Sequence, residues 1–304
     1  MVAFDNNIHK CIYKDGFYVS KNLLDTQTMQ LLRSELDRYR ELNKNPLLSD
    51  SEKLRSILFG DKIKNVLHSI LGNKLVYCQG YSFNALDFWS MFKWHKDSID
   101  LSKNNVKDWS PLNYPIISGG IYLGDYSKNS GSLGVQPNSH TSSTHSKLGI
   151  NLKTKPGDVI FWPLTTTHTA NSPSFRWNPN RAYTPLLNNN FFLTICHRIG
   201  GFINKTPFLI QPQLIKRQVV FFTVGAPSLE LAEYLSYSIH RPYFSSMLKE
   251  REHESFELTE NTQFLNISKF RNKINKKYES ITLNTEKAKK AARELSSEIM
   301  REFI

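Results

Sequence analysis

Gly157-Asp158-Val159-Ile160-Phe161-Trp162, with His168 just beyond it, is the stretch on which the fold turns. Gly-Asp marks a turn. The apolar run after it is too short for a helix and rich in β-branched and aromatic residues, so it reads as a buried strand. Similar strands surround it: Leu75–Gln79, Ala85–Trp89, Ile116–Leu123, Gly131–Val135, Phe191–Ile195 and Arg217–Val224, punctuated by Gly, Pro and Asn. Many short strands with such turns predict a sandwich or barrel of the jelly-roll kind.

Helices are expected on either side of this β region. Asp25 is a good N-cap for a helix whose apolar positions are Met29, Leu31, Leu32, Leu36 and Tyr39. Ser51 to Leu71 reads as a second helical region ending at Gly72. Leu229, Leu231, Ala232, Leu235 and Ile239 form a third stripe. Tyr13–Val19 alternates after a turn pair and is expected to be a short strand, whereas Ser98–Pro115 and Thr169–Lys216 read as long loops.

The second notable stretch is Trp94-His95-Lys96-Asp97. On an extended strand, residues two apart share a face, so the His95 and Asp97 side chains point the same way. Two imidazoles and one carboxylate on one side of an ion make a facial iron(II) site with open positions for oxygen and a co-substrate. The second imidazole has three candidates. His140 lies in a turn-like Pro137-Asn138-Ser139-His140, His145 in a Ser/Thr-rich loop, and His168 just past the buried strand; the last position suits a ligand best. The bland alternative is a surface histidine beside Lys96. A co-substrate carboxylate would need a cation, and the planar fork of Arg is the best fit. Arg217 opens the apolar strand ending at Val224; Arg181 and Arg198 compete, although Pro185 argues against a long strand at Arg181.

The 304-residue chain is 39% hydrophobic and 12% aromatic, which excludes a disordered chain. Cys11, Cys78 and Cys196 are scattered and odd in number, which argues against a disulfide scaffold or zinc ribbon and fits a reducing compartment. With no signal-like N-terminus and no bilayer-length apolar run, a soluble cytoplasmic protein is expected. The net charge of +12 raises the question of nucleic acid, but from Phe264 onward ten Lys/Arg stand against five Glu, so much of it sits in the tail. No nucleic-acid signature accompanies the charge, and a solvated basic surface or an anionic small substrate is the better account.

Asp15-Gly16-Phe17, Trp94-His95-Lys96-Asp97, Ile121-Tyr122-Leu123, Gly131-Ser132-Leu133 leading to Pro137-Asn138-Ser139-His140, and Gly157–Trp162 leading to His168 occur in that order. The arrangement resembles the phytanoyl-CoA dioxygenase family of Fe(II)/2-oxoglutarate-dependent oxygenases, from about Tyr13 to Tyr243. The resemblance implies a mainly β core with flanking helices (α+β), a double-stranded β-helix of the jelly-roll, cupin-like type. It implies iron held by His95, Asp97 and His168, with no catalytic residue beyond these ligands, and 2-oxoglutarate anchored by Arg217 or Arg181. Arg181 keeps the family's ordinary spacing, whereas Arg217 requires an insertion around residues 170–215. Tyr122 and Gln79 are further contacts for the co-substrate. Halogenating relatives have a small residue at the Asp97 position, so its presence points to hydroxylation of a small, preferably anionic, organic substrate by O2, with succinate and CO2 released. Residues 1–245 would form the oxygenase domain. Residues 246–304 would form a charged helical extension, open to use as a homo-oligomer contact. The alternative is a non-catalytic jelly-roll binding module for carbohydrate or nucleic acid.

Overall fold

The structure is a computed structural model that describes residues 6–41, 51–78, 94–97, 116–127, 132–141, 149–170, 174–175, 178–182, 218–239, 262–265 and 286–301. Four helices lead the chain: α1 (Asn6–Asp15), α2 (Thr26–Glu41), α3 (Glu52–Leu58) and α4 (Asp61–Leu71). The first differs from the expected strand over Tyr13–Val19. Ile8 and Ile12, at helical spacing, are both buried and carry the helix on to Asp15. Gly16, at φ 78°, then turns the chain into a strand of only three residues, β1 (Tyr18–Ser20). α2 begins where Asp25 predicts, its carboxylate accepting the Thr28 N–H at 2.8 Å. The second helical region is broken in two at Phe59-Gly60, and Gly72 at φ 87° closes it.

Strands follow: β2 (Leu75–Cys78), β3 (Ile116–Tyr122), β4 (Leu133–Val135), β5 (Gly149–Asn151), β6 (Val159–Pro163), β7 (His168–Ala170), β8 (Ser174–Phe175), β9 (Asn178–Ala182), β10 (Val219–Gly225) and β11 (Thr262–Leu265). They form a six-stranded sheet, ordered β1-β6-β3-β10-β2-β11, and a five-stranded sheet, ordered β7-β4-β5-β9-β8. Pairing is antiparallel except for β11 alongside β2. Two helices complete the described chain, α5 (Leu229–Ile239) and α6 (Glu286–Arg301). The molecule is therefore mixed α+β. Among the described residues, no helix is long and apolar enough to cross a membrane.

Strict alternation divides the large sheet into two faces. Ile117, Ile121, Val159, Phe161, Val220, Phe222 and Val224 point outward and share one core with Ile12, Met29, Leu32, Leu36, Leu58 and Leu67 of the leading helices. Tyr122, Ile160, Trp162 and Val219 point inward and share another with Leu133 and Val135 of the small sheet. The two sheets thus pack on each other.

The segment after residue 245 departs from a purely helical extension. Residues 262–265 are an edge strand in register with Leu75–Cys78. α6 packs on α5, and Leu295 and Ile299 are buried in a cluster with Val76, Ile116, Leu231 and Leu235. The i, i+4 spacing of Leu295 and Ile299 gives this highly charged helix one apolar stripe to bury. The strand at Ala85–Trp89, the strand at Phe191–Ile195 and the Ser98–Pro115 loop lie outside the described residues.

Candidate metal centre

His168 opens β7, whose position is set by the turn before it. Thr165, Thr166 and Thr167 are all buried. The Thr166 hydroxyl donates to the Gly16 carbonyl at 2.6 Å, and the Thr167 N–H donates to the Ser139 hydroxyl at 2.8 Å. Gly157, at φ 96°, makes the turn feeding β6, and its carbonyl accepts the Leu24 N–H at 3.0 Å.

The His95 segment crosses this strand start in an isolated antiparallel bridge. The His95 N–H donates to the His168 carbonyl at 3.0 Å, and the His168 N–H returns to the His95 carbonyl at 2.9 Å. The Asp97 N–H donates to the Leu164 carbonyl at 3.0 Å. Two ligand-bearing segments far apart in sequence are thus tied together through main chain. Extended geometry at residues 95–97 puts His95 and Asp97 on one side and Lys96 on the other. Lys96 is buried, and its ammonium donates to the Ser139 carbonyl at 2.5 Å. Ser139 therefore braces both segments, Lys96 through its carbonyl and Thr167 through its hydroxyl.

Ligand atoms of His95, Asp97 and His168 all lie within 4.8 Å of one another. The His95 Nε2 is 3.4 Å from Asp97 Oδ1, and the His168 Nε2 is 3.3 Å from Asp97 Oδ2. The His168 Nδ1 is 3.0 Å from the Thr166 carbonyl, which can only accept. Nδ1 must therefore carry a proton, which leaves Nε2 facing Asp97: it donates to the carboxylate when the ring is charged and offers its lone pair to a metal when the ring is neutral. Burial alone would push the Asp97 carboxyl up. The charge and hydrogen bond of His168 and the hydrogen bond of His95 outweigh this and hold it well below the usual carboxylate range. His168 is 7% exposed, Asp97 32% and His95 37%, so His168 is the buried member of the cluster and the 95–97 segment its more open side.

Two nitrogens and a carboxylate on one side fit a divalent first-row metal such as iron(II), with positions left for other ligands. A co-substrate also finds a suitable wall. Trp162 lies beside His168, ring centroids 5.5 Å apart, and its buried indole N–H has no hydrogen-bond partner among the described residues. A buried donor of this kind suits an oxygen-bearing ligand at the metal.

No protein-family model matches this sequence. No curated protein matches it either. Solved structures do. HygX from Streptomyces hygroscopicus, with nickel and 2-oxoglutarate bound, aligns at a TM-score of 0.51 and 15% identity, over 74% of this chain and 87% of that one. The same protein with iron bound aligns at a TM-score of 0.50 and 16% identity, over the same shares. The chain shares the fold of HygX. At such identity the likeness concerns the fold alone, and the HygX-like framework is what brings residues 95, 97 and 168 together here.

The other candidates fare differently. His140 is on a short 3-10 turn, Ser139–Thr141, and its Nε2 donates to the Tyr13 carbonyl at 2.8 Å, so it braces α1 instead of joining the cluster. Tyr122 is fully buried on the inward face of β3. Arg181 lies on a short strand of five residues. β9 ends at Ala182, short of the proline, and pairs Arg181 with Ile150 of β5. Gln79, His145, Arg198 and Arg217 lie outside the described residues. Lys96 and Trp162 are the residues that sequence reasoning did not single out. Alternation was the available signal: Lys96 must face away from its two neighbours, and Trp162 must share the inward face of Ile160.

Proposed function

We propose that this chain is an Fe(II)/2-oxoglutarate-dependent dioxygenase that hydroxylates a small organic substrate. The observation that carries the reading is the convergence of His95, Asp97 and His168 within 4.8 Å. HygX, which shares the fold, has been crystallised with iron and with nickel and 2-oxoglutarate. The alternation of strands between two sheets that share a core supports closure into a double-stranded β-helix.

In this reading His95, Asp97 and His168 hold the iron on one face. Thr166 keeps His168 in the ligating tautomer, and Asp97 stays anionic. Bound there, iron and 2-oxoglutarate supply the oxidising chemistry that takes O2 and a substrate C–H to hydroxylated product, succinate and CO2. Arg217 or Arg181 pairs with the distal carboxylate of 2-oxoglutarate, and Tyr122 and Gln79 add contacts to it. Asp97 occupies the position that a halide would need, which favours hydroxylation. The basic balance of the chain, +12, favours an anionic substrate. Residues 1–245 form the oxygenase domain and 246–304 an extension that completes the sheet edge, with its helical part open to a second copy.

The test is a screen of organic acids for substrate-stimulated succinate release with iron(II). Stimulation by at least one acid, lost in Asp97→Gly, is expected. Full activity in Asp97→Gly would remove Asp97 from the metal. Arg217→Ala should raise the 2-oxoglutarate requirement sharply; if Arg181→Ala does so in its place, Arg181 is the anchor.

A further inference from the structure

We infer that the indole N–H of Trp162 is a ligand-binding donor, which gives its hydrogen bond to a carboxylate oxygen of the 2-oxo acid bound at the metal. This rests on the functional reading above and assigns a recognition role to a residue of the inward sheet face. Trp162 is 2% exposed, and its Nε1 is buried without a partner among the described residues. Folded proteins leave few such donors, because each has given up water for nothing. The ring lies 5.5 Å from that of His168 and 6.1 Å from that of Phe221. It therefore stands next to the proposed ligand set.

The surroundings indicate space there. Phe221 points inward from the middle of β10 toward Trp162 and Tyr122, yet it keeps partial exposure where Val219, Tyr122 and Ile160 are fully buried. Well-filled cores do not leave a central aromatic in this condition. The chemistry selects the occupant. An indole N–H donates and cannot accept, so an ammonium, which has only donors, gains nothing from it. A carboxylate gains most, since a charged acceptor strengthens the bond. Phe221 and Tyr122, whose rings stand edge to face 6.4 Å apart, supply the apolar flank.

Two other fates exist for the donor: a buried water, or the face of the Phe221 ring, to which Trp162 is inclined by 89°. The experiment separates them. Trp162→Phe keeps an aromatic ring and removes the donor. Binding of cobalt(II), then of 2-oxoglutarate to the cobalt-loaded protein, is measured by anaerobic calorimetry, alongside the thermal midpoint of the metal-free protein. We expect unchanged cobalt affinity, roughly tenfold or greater weakening of 2-oxoglutarate, and a metal-free midpoint that is equal or higher. Affinity for 2-oxoglutarate within about twofold of wild type would overturn the inference, assigning the donor to water or, if the midpoint also falls, to Phe221. Should Trp162→Phe fail to fold, zinc-loaded wild-type protein labelled at the indole nitrogen provides the answer. The Trp162 indole proton must move downfield on adding 2-oxoglutarate, and no movement overturns the inference. If wild-type protein loaded with metal does not bind 2-oxoglutarate at all, the functional reading itself fails, a result distinct from equal binding by variant and wild type.

Discussion

The two faces of the large sheet are built to different standards. The outward face is closed. Phe161 and Phe222 pack edge to face at 6.1 Å against the leading helices, and the Tyr77 hydroxyl, deep in that core, donates to the Leu58 carbonyl at 2.7 Å. The inward face carries the bulkier aromatics Tyr122 and Trp162, a half-buried Phe221 and an indole N–H without a partner among the described residues. Both faces are spelled by the same strands, one residue out of phase. The outward face packs against the leading helices and holds the fold together; the inward face carries the orphaned indole and is the side on which the ligand cluster sits.

The largest expected effect lies on the inward side. His168→Ala should abolish iron-dependent turnover of 2-oxoglutarate and weaken cobalt(II) binding severely, while the metal-free circular dichroism spectrum stays native. The bridge to His95 is made by main chain, which alanine retains. Unchanged turnover would remove His168 from the metal. Next comes the outward side. Phe222→Ala should cost about 3–5 kcal/mol in urea unfolding, with cobalt affinity in the folded fraction unaffected. A loss of metal binding larger than the loss of stability would mean that the two faces are not separable.

The smallest effect concerns the helices that cover the outward face. Glu35 is buried between α2 and the start of α3, where it accepts from Arg38 at 2.7 Å and from Ser51. Burial works to push its carboxyl up, but those hydrogen bonds and the charges of Arg38 and Lys53 prevail and hold it below its ordinary value. A lowered folded value means stability that is present above the ordinary carboxylate value and lost as pH falls through the depressed one. Urea midpoints should therefore drop on acidification across that window, and Glu35→Gln should flatten this part of the profile. An identical acid slope in both proteins would assign the loss to other carboxylates.

Legibility in the sequence followed the same division. Short apolar runs such as Val159–Trp162 and Val219–Val224, rich in β-branched and aromatic residues, announced buried strands. His95, Asp97 and His168 were legible because a two-residue spacing and a strand start are local features. What could not be read was anything fixed by tertiary partners. Gly16 and the helical pair Ile8 and Ile12 outweighed the alternation at Tyr13–Val19, since that alternation is too short to decide between a helix and a strand. Pro185 argued only against a long strand at Arg181; that a short one forms and stops at Ala182 depends on its pairing with β5. The Ser139 brace depends on two hydrogen bonds to segments far away in the chain, and no spacing encodes them. The edge strand at Thr262–Leu265 gains its identity from lying beside β2.

The strand order has a consequence for biosynthesis. β10 fills the middle of the large sheet, between β3 and β2, but it is among the last of that sheet's strands to leave the ribosome. Until it arrives, β3 is without the neighbour that pairs with it along all seven of its residues. A nascent chain carrying every proposed metal ligand would thus still expose a long apolar strand edge, the kind of surface that invites wrong pairing. Iron offered to such a chain would meet His95, Asp97 and His168 before the sheet beneath them was complete.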